Sequence, residues 1–402
     1  MDGSDMDYGA YCGVDVGKAS HYAVALGRDG TRLLGGPVAQ REPDIREPLG
    51  EAAGYGRVLV TVDQRGGFGA LAVAVARDMG MDVACLEPKG FGRASATYGE
   101  GKSDARDAFV IADVSLSAPR LVGLVPGPDG ALEEVRALCS YRRAVVGERT
   151  RCYNRLRELL HRACPPLEAL FPGERPHNAM SLLLLARYGG PRGLRRAGRA
   201  RAERWAAGVA RQRNREPALV AEAFAAAASV TVALPGAEIA EDLARKAARR
   251  AMELEAEARE LDAAIGERAR LLPGFDVLLS VPGIGPVYAA AIAAETGDVA
   301  RFPDAGRLAS YGGVAPVREE SGTGARRSRK RRGGNRRLKD ALVGSARAAA
   351  LHDPPSKAYY ARKRAEGKSH KQALRALARR RVDLIYALLT AGALYAPPPD
   401  GA

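Results

Sequence analysis

The sequence predicts an α/β domain at the amino terminus, a long helical middle and a mainly helical carboxyl-terminal third. Three features carry that division. The first third holds short strand-like runs and one continuous apolar run, Arg57–Val62. The middle holds two apolar seams at heptad-like spacing, and the last third holds two helical stretches around Pro282-Gly283-Ile284-Gly285. A length of 402 residues fits two or three domains, and 46% hydrophobic with 27% charged residues excludes a mostly disordered chain.

Tyr11–Val16, His21–Leu26 and Thr31–Leu34 read as a meander of antiparallel strands, turned at Arg28-Asp29-Gly30. Arg57–Val62 (RVLVTV) is a mostly apolar run ending at Asp63, the pattern of a strand covered on both faces. Phe68–Met79 reads as a helix, Met81–Leu86 as a second buried strand and Asp104–Leu116 as a helix. Antiparallel strands followed by β-α-β define the α/β class. In the middle, Leu138/Cys139, Val145/Val146, Cys152/Tyr153 and Leu159/Leu160 recur every seven residues, and Ala251, Leu254, Ala258, Leu261, Ile265 and Leu272 form a second seam. Such seams suit an antiparallel hairpin within the chain or a dimer interface. Between them, 174–235 is less regular.

Lys and Arg number 62 against 47 Asp and Glu, a net charge of +15, which points to a polyanionic partner. Five cysteines without a Cys-x-x-Cys argue against disulfides and zinc. The first ten residues lack the apolar core of a signal peptide, and Ala218–Leu234, mostly alanine and containing Glu222, reads as a buried helix. The expectation is a cytoplasmic protein with no membrane association.

Four carboxylates stand out. Asp15 sits inside the first strand in Gly13-Val14-Asp15-Val16-Gly17, where a carboxylate is costly unless paired or metal-bound. Asp63 ends the central strand, where open α/β sheets place ligands. Asp104 and Asp107, three apart, share one face of a helix start. Hard oxygen donors of this number could hold Mg²⁺ at a phosphodiester. Simpler readings stand beside this one: Asp104 as a helix cap or first-turn acid, and Asp63 as a turn residue before Gly66-Gly67. Gly13–Lys18 also resembles the phosphate loop of sugar kinases and actin-like ATPases.

In the last third, Gly283 and Gly285 occupy a turn like that of a helix-hairpin-helix, whose backbone N–H groups can approach a phosphate, or a plain tight helix–helix turn. Arg326, Arg327, Arg329, Lys330, Arg331, Arg332, Arg336 and Arg337 form a basic run without an acid, suited to nucleic-acid backbone. Ser321, in Glu319-Glu320-Ser321-Gly322-Thr323-Gly324, precedes that run; a serine attacking phosphate needs such cations, although Ser-Gly-Thr-Gly also suits a linker. In the middle, Arg142, Arg149, Arg151, Arg155 and Arg157 could face RNA or solvent.

GVDVGK (13–18), VLVTVDQRGGFGALAVAVARDMG (58–80) and KSDARDA (102–108) resemble the amino-terminal domain of DEDD-type insertion-sequence transposases, the bridge-RNA-guided serine recombinases related to the Piv invertase. LLSVPGIGP (278–286), RFPDAGRLASYGGVAPVREESG (301–322) and RRGGNRRLKDALVGSARAA (331–349) resemble that family's carboxyl-terminal domain. The resemblance implies an RNase H-like (RuvC-like) domain over 1–125, a coiled-coil spacer over 130–274 and a transposase domain over 275–395, with 396–402 a disordered tail. It implies Mg²⁺ at Asp15, Asp63, Asp104 and Asp107 and a catalytic Ser321. Donor and target DNA, a guide RNA and a homo-oligomer, dimer or tetramer, are its implied partners. Asp63 departs from the pattern, whose second acid is typically Glu; Glu87, ending the next strand, is the alternative.

Overall fold

The computed structural model describes residues 7–64, 67–86, 98, 103–125, 127, 130–170, 179–213, 218–232, 234–316 and 334–397. They fall into two compact units, 1–128 and 129–402.

The first unit is built on one six-stranded sheet. Its elements are β1 (Ala10–Asp15), β2 (Ser20–Gly27), β3 (Arg32–Ala39), α1 (Glu42–Ala53), β4 (Val58–Val62), α2 (Ala70–Asp78), β5 (Asp82–Cys85), α3 (Asp104–Ser117) and β6 (Gly123–Leu124). The strand order is β3-β2-β1-β4-β5-β6. β1, β2 and β3 pair antiparallel, β4 and β5 run parallel to β1, and β6 closes the far edge antiparallel. This mixed sheet is consistent with the RNase H-like fold. β3 runs past the expected Leu34 through Pro37, which a strand lacking an outer neighbour tolerates. Pro43 and Pro48 mask α1 in the sequence, yet Pro43 lies in its first turn, where the missing N–H costs nothing.

Strand alternation assigns the two faces. Ala10, Cys12 and Val14 of β1 and Val58, Val60 and Val62 of β4 share a core with Ile45 and Leu49 of α1 and Val73 and Ala76 of α2. The opposite face receives α3, whose Ala108 and Ala112 pack on Val24 and Leu26. Gly13 makes that approach feasible: a β-carbon there would lie 2.3 Å from the Ala108 carbonyl oxygen and 2.4 Å from the Ala112 nitrogen. Ser115 Oγ pins the helix by donating to Thr61 Oγ1 of β4 at 2.8 Å.

The second unit is helical: α4 (Gly130–Ala163), α5 (Pro165–Glu168), α6 (Ala179–Tyr188), α7 (Pro191–Ala197), α8 (Arg199–Arg213), α9 (Ala218–Ala228), α10 (Ala237–Ala269), α11 (Phe275–Ser280), α12 (Pro286–Thr296), α13 (Ala305–Tyr311), α14 (Arg336–His352), α15 (Pro354–Ala365) and α16 (His370–Ala391). α4 and α10 lie antiparallel, as the pairs Glu134–Arg268 (2.9 Å), Tyr141–Glu257 (2.7 Å) and Glu148–Arg250 (3.1 Å) show. Their seams face each other, with Val145 on Leu254 and Ala258. Of the two readings of those seams, the described residues show the intrachain hairpin, with Val145, Leu254, Ala258 and Ile265 buried and Leu138, Val146, Cys152 and Leu261 partly buried. Toward one end of the hairpin, Tyr153, Leu156 and Leu160 share a core with α6–α9, within the stretch that looked irregular in sequence. Toward the other, Val135, Ile265 and Leu272 share a core with Phe275, Leu278, Leu342 and Ile385, so packing continues without a break across residue 274. Of the 396–402 tail, only Ala396 and Pro397 are among the described residues.

Candidate active site

The parallel register of β1 and β4 pairs Val14 with Val62, which brings Asp15 and Asp63 abreast at the same end of the sheet. Alternation places both on the α3 face, with Gly13 and Thr61. The chain tightens the junction further, because the Val16 N–H donates to Asp63 Oδ1 at 3.2 Å. Ser103 caps α3, its hydroxyl accepting from the Arg106 N–H, so Asp104 is free of that duty and is an exposed first-turn acid one turn ahead of Ala108. Asp107, its side chain 14% exposed, has the Arg106 guanidinium 3.3 Å away.

Asp63 is also within electrostatic reach of Asp107. Burial pushes the Asp63 carboxyl above the usual carboxylate range; N–H groups of Val16 and Gln64 pull it down, and the negative charge of Asp107 adds to the rise. The donor set, all hard carboxylate oxygens, fits a divalent cation chemically. Among the described residues, however, no three His, Cys, Asp or Glu side chains stand close enough together to hold a metal ion. The structure therefore brings Asp15, Asp63 and Asp107 to one rim without closing a ligand shell. Glu87 lies outside the described residues.

Sequence reasoning passed over His21, a residue of β2 that is 3% exposed. Neither ring nitrogen has a partner among the described residues; burial lowers its pKa, while Gln40 and the charge of Asp63 oppose that shift. A histidine in an otherwise apolar strand carries no signal at the level of sequence.

In the second unit Ser321, Arg326, Arg327, Arg329, Lys330, Arg331 and Arg332 lie outside the described residues. The two ends of their stretch come together. The Asn335 N–H donates to the Tyr311 carbonyl at 2.7 Å, and a β-carbon on Gly334, whose φ is +110°, would lie 3.0 Å from the Gly313 Cα. Asn335 then ties three helices, α12, α13 and α14. Its side-chain oxygen accepts from the Arg337 and Leu338 N–H groups, capping α14, while Nδ2 donates to Glu295 Oε2 at 2.6 Å and to the Tyr311 hydroxyl at 3.1 Å. Arg337 reaches Glu295 at 3.5 Å and Ser140 at 3.4 Å, so part of its charge is spent within the fold; Arg336 is exposed. The Gly283–Gly285 turn divides similarly. Gly283, at φ +79°, faces α14, where a β-carbon would lie 2.5 Å from the Ala349 nitrogen, whereas Gly285 is exposed at the start of α12. Packing against α14 accounts for Gly283 without a phosphate.

Three of the five middle-region arginines are also engaged within the chain: Arg142 with Asp262, Arg149 near Glu255 at 3.8 Å and Arg157 with Glu168 at 2.7 Å. Arg151 and Arg155 are exposed. All five cysteines are free thiols, and no described helix is long and apolar enough to cross a membrane.

A mixed sheet with acids at its central strand ends and on the helix that packs on it is consistent with an RNase H-like carboxylate domain. Residues 12–165 match the DEDD transposase family of IS110 elements, and residues 276–361 match the transposase family IS116/IS110/IS902. Over 97% of its length the chain is 37% identical to the IS110 43.6 kDa protein of Streptomyces coelicolor, covering 96% of that protein. It is 35% identical to the IS116 44.8 kDa protein of Streptomyces clavuligerus, over 97% of this chain and 96% of the relative. It is 36% identical to the IS900 42 kDa protein of Mycobacterium paratuberculosis, over 96% and 97% respectively. The chain belongs to the IS110/IS116 family of insertion-sequence transposases.

Proposed function

We propose that this transposase cuts and rejoins donor and target DNA through a phosphoserine formed by Ser321, guided by a non-coding bridge RNA and working as a dimer or tetramer. The observation that carries the reading is the carboxylate rim: Asp15 and Asp63 abreast on parallel strands, with Asp107 near enough to raise the Asp63 pKa. Asp15, Asp63, Asp104 and Asp107 would hold Mg²⁺, which when bound supplies charge stabilisation at phosphorus and acidifies an attacking hydroxyl. The chain's own residues do the rest. The Ser321 Oγ attacks the scissile phosphorus and gives up its proton; the Oγ–P bond forms, the bond to the leaving deoxyribose oxygen breaks, and that oxygen takes up a proton to depart as a free hydroxyl, so the step is proton-neutral overall. The joining of Tyr311–Gly313 to Gly334–Asn335 holds both ends of the Ser321-bearing stretch at one place. Arg326 and Arg327, next to Ser321 in sequence, supply positive charge for the phosphorane. Strand exchange through the phosphoserine conserves bond energy, so no ATP is consumed.

The test is a denaturing-gel assay for a covalent protein–DNA adduct, using RNA that co-purifies with the chain expressed beside its flanking DNA. Ser321→Ala should lose the adduct and keep RNA binding, and Asp104→Asn should stop cleavage while the protein remains folded. An adduct that survives Ser321→Ala removes the serine from this role. Metal-dependent cleavage with no adduct would make the chain a nuclease that hydrolyses with water.

A further inference from the structure

The carboxyl-terminal helix pair α15–α16, which begins inside the 276–361 family match and runs past it, carries an unusual charge. Between Pro354 and Arg381 the sequence places ten Lys and Arg against one acid, Glu366. The fold gathers three of those cations around one ring. The charged groups of Arg362 and Lys363, on α15, lie 5.1 and 5.4 Å from the Tyr359 ring centroid, and that of Arg380, on α16, lies 5.1 Å away. Three like charges around one ring repel one another. The ring faces offset part of that cost. Glu366 offsets another part, its carboxylate bound by Lys363 and Lys368 and held down to about 2. Arg362 and Arg380 are exposed, and no carboxylate pairs with either among the described residues.

The platform beneath is fixed. Leu374, Leu377, Ala378 and Val382 of α16 are buried, Arg381 donates to the Pro282 carbonyl at 2.6 Å, and the Tyr360 hydroxyl meets His370 Nδ1 at 2.7 Å across the helix pair. An exposed cationic edge on packed helices, with Arg362 and Arg380 unpaired by any carboxylate among the described residues, matches the repeating charge of a polyphosphate rather than a single anion in a pocket.

We infer that the α15–α16 edge around Tyr359, bearing Arg362, Lys363 and Arg380, is a binding surface for the phosphodiester backbone of a nucleic acid, built from residues other than the carboxylates and the 326–337 run. The inference rests on the transposase reading only for the class of ligand.

The test is fluorescence anisotropy on the full-length chain, with a labelled random-sequence DNA duplex and a labelled hairpin RNA as separate probes. Binding is followed from about 50 to about 200 mM KCl, where each phosphate contact adds about 0.9 to the slope of log K against log salt on duplex. The triple variant Arg362→Gln, Lys363→Gln, Arg380→Gln should lower that slope by about two to three and weaken binding at least tenfold near physiological salt. A drop on duplex alone assigns the surface to DNA, on hairpin alone to RNA, and on both to backbone shared by the two. The charge-keeping variant Arg362→Lys, Arg380→Lys should retain the parent slope, which separates lost charge from lost folding. A triple variant with the parent slope on both probes overturns the inference and leaves the transposase reading standing. Ser321→Ala should keep the parent slope, so a failed serine assignment leaves this surface in place.

Discussion

Asn335 offers the sharpest energetic test of the second unit. Replacing it with alanine removes the cap on α14, worth about 1 kcal/mol. The same change takes the Nδ2 donor from Glu295, a side chain in a residue 7% exposed, and an orphaned buried acceptor costs about 1–3 kcal/mol. Asn335→Ala should therefore destabilise by about 2–4 kcal/mol. Asn335→Asp keeps the capping oxygen but replaces the donor with a carboxylate facing Glu295, so the cap survives while the pairing becomes repulsive. Adding Glu295→Gln restores donor and acceptor in reverse order, and the double variant should recover most of the loss. Urea unfolding followed by helical circular dichroism reads these changes as midpoint shifts at constant slope. An Asn335→Asp variant as stable as the parent, or an alanine variant losing only the cap's share, would refute the Glu295–Asn335 pairing as described.

Other outcomes follow from the same geometry. Gly13→Ala should push α3 off the sheet, because the new methyl meets backbone at 2.3 Å; a loss of about 1–3 kcal/mol with loss of strand cleavage is expected, and thermal melting with a cleavage assay reads both. The Cys12 thiol, pushed up to about 12 by burial, should stay uncharged at pH 8 and resist iodoacetamide in the native protein, reacting only after denaturation as mass spectrometry would show. Leu254→Ala should cost about 2–5 kcal/mol, since its partner Val145 is in the same chain, and its difference from the parent should be the same at every protein concentration; a difference that changes with concentration would mark an intermolecular seam.

Much of the first unit could be read locally. The apolar run Val58–Val62, broken only by Thr61, already specified a strand covered on both faces, and Asp104 with Asp107 already implied one helix face. Local pattern failed where neighbours decide. Pro37 sits in a strand because that strand is at the edge, and α1 forms despite Pro43 and Pro48 because Ile45 and Leu49 have a sheet to cover. The buried His21 left no trace in the sequence because its significance lies entirely in what surrounds it.

The sequence by itself determined the element types, the four carboxylates, the basic character and the family, since these depend on composition, short-range periodicity and motif spacing. Only the tertiary structure decided what those elements face. It placed Asp15 beside Asp63, because that adjacency comes from parallel pairing of strands 47 residues apart at Val16 and Asp63. It turned the two heptad seams toward each other, gave Gly283 to helix packing, and gathered Arg362, Lys363 and Arg380 around Tyr359 from two separate helices. A side chain's partner across space depends on long-range packing, which no window of sequence contains.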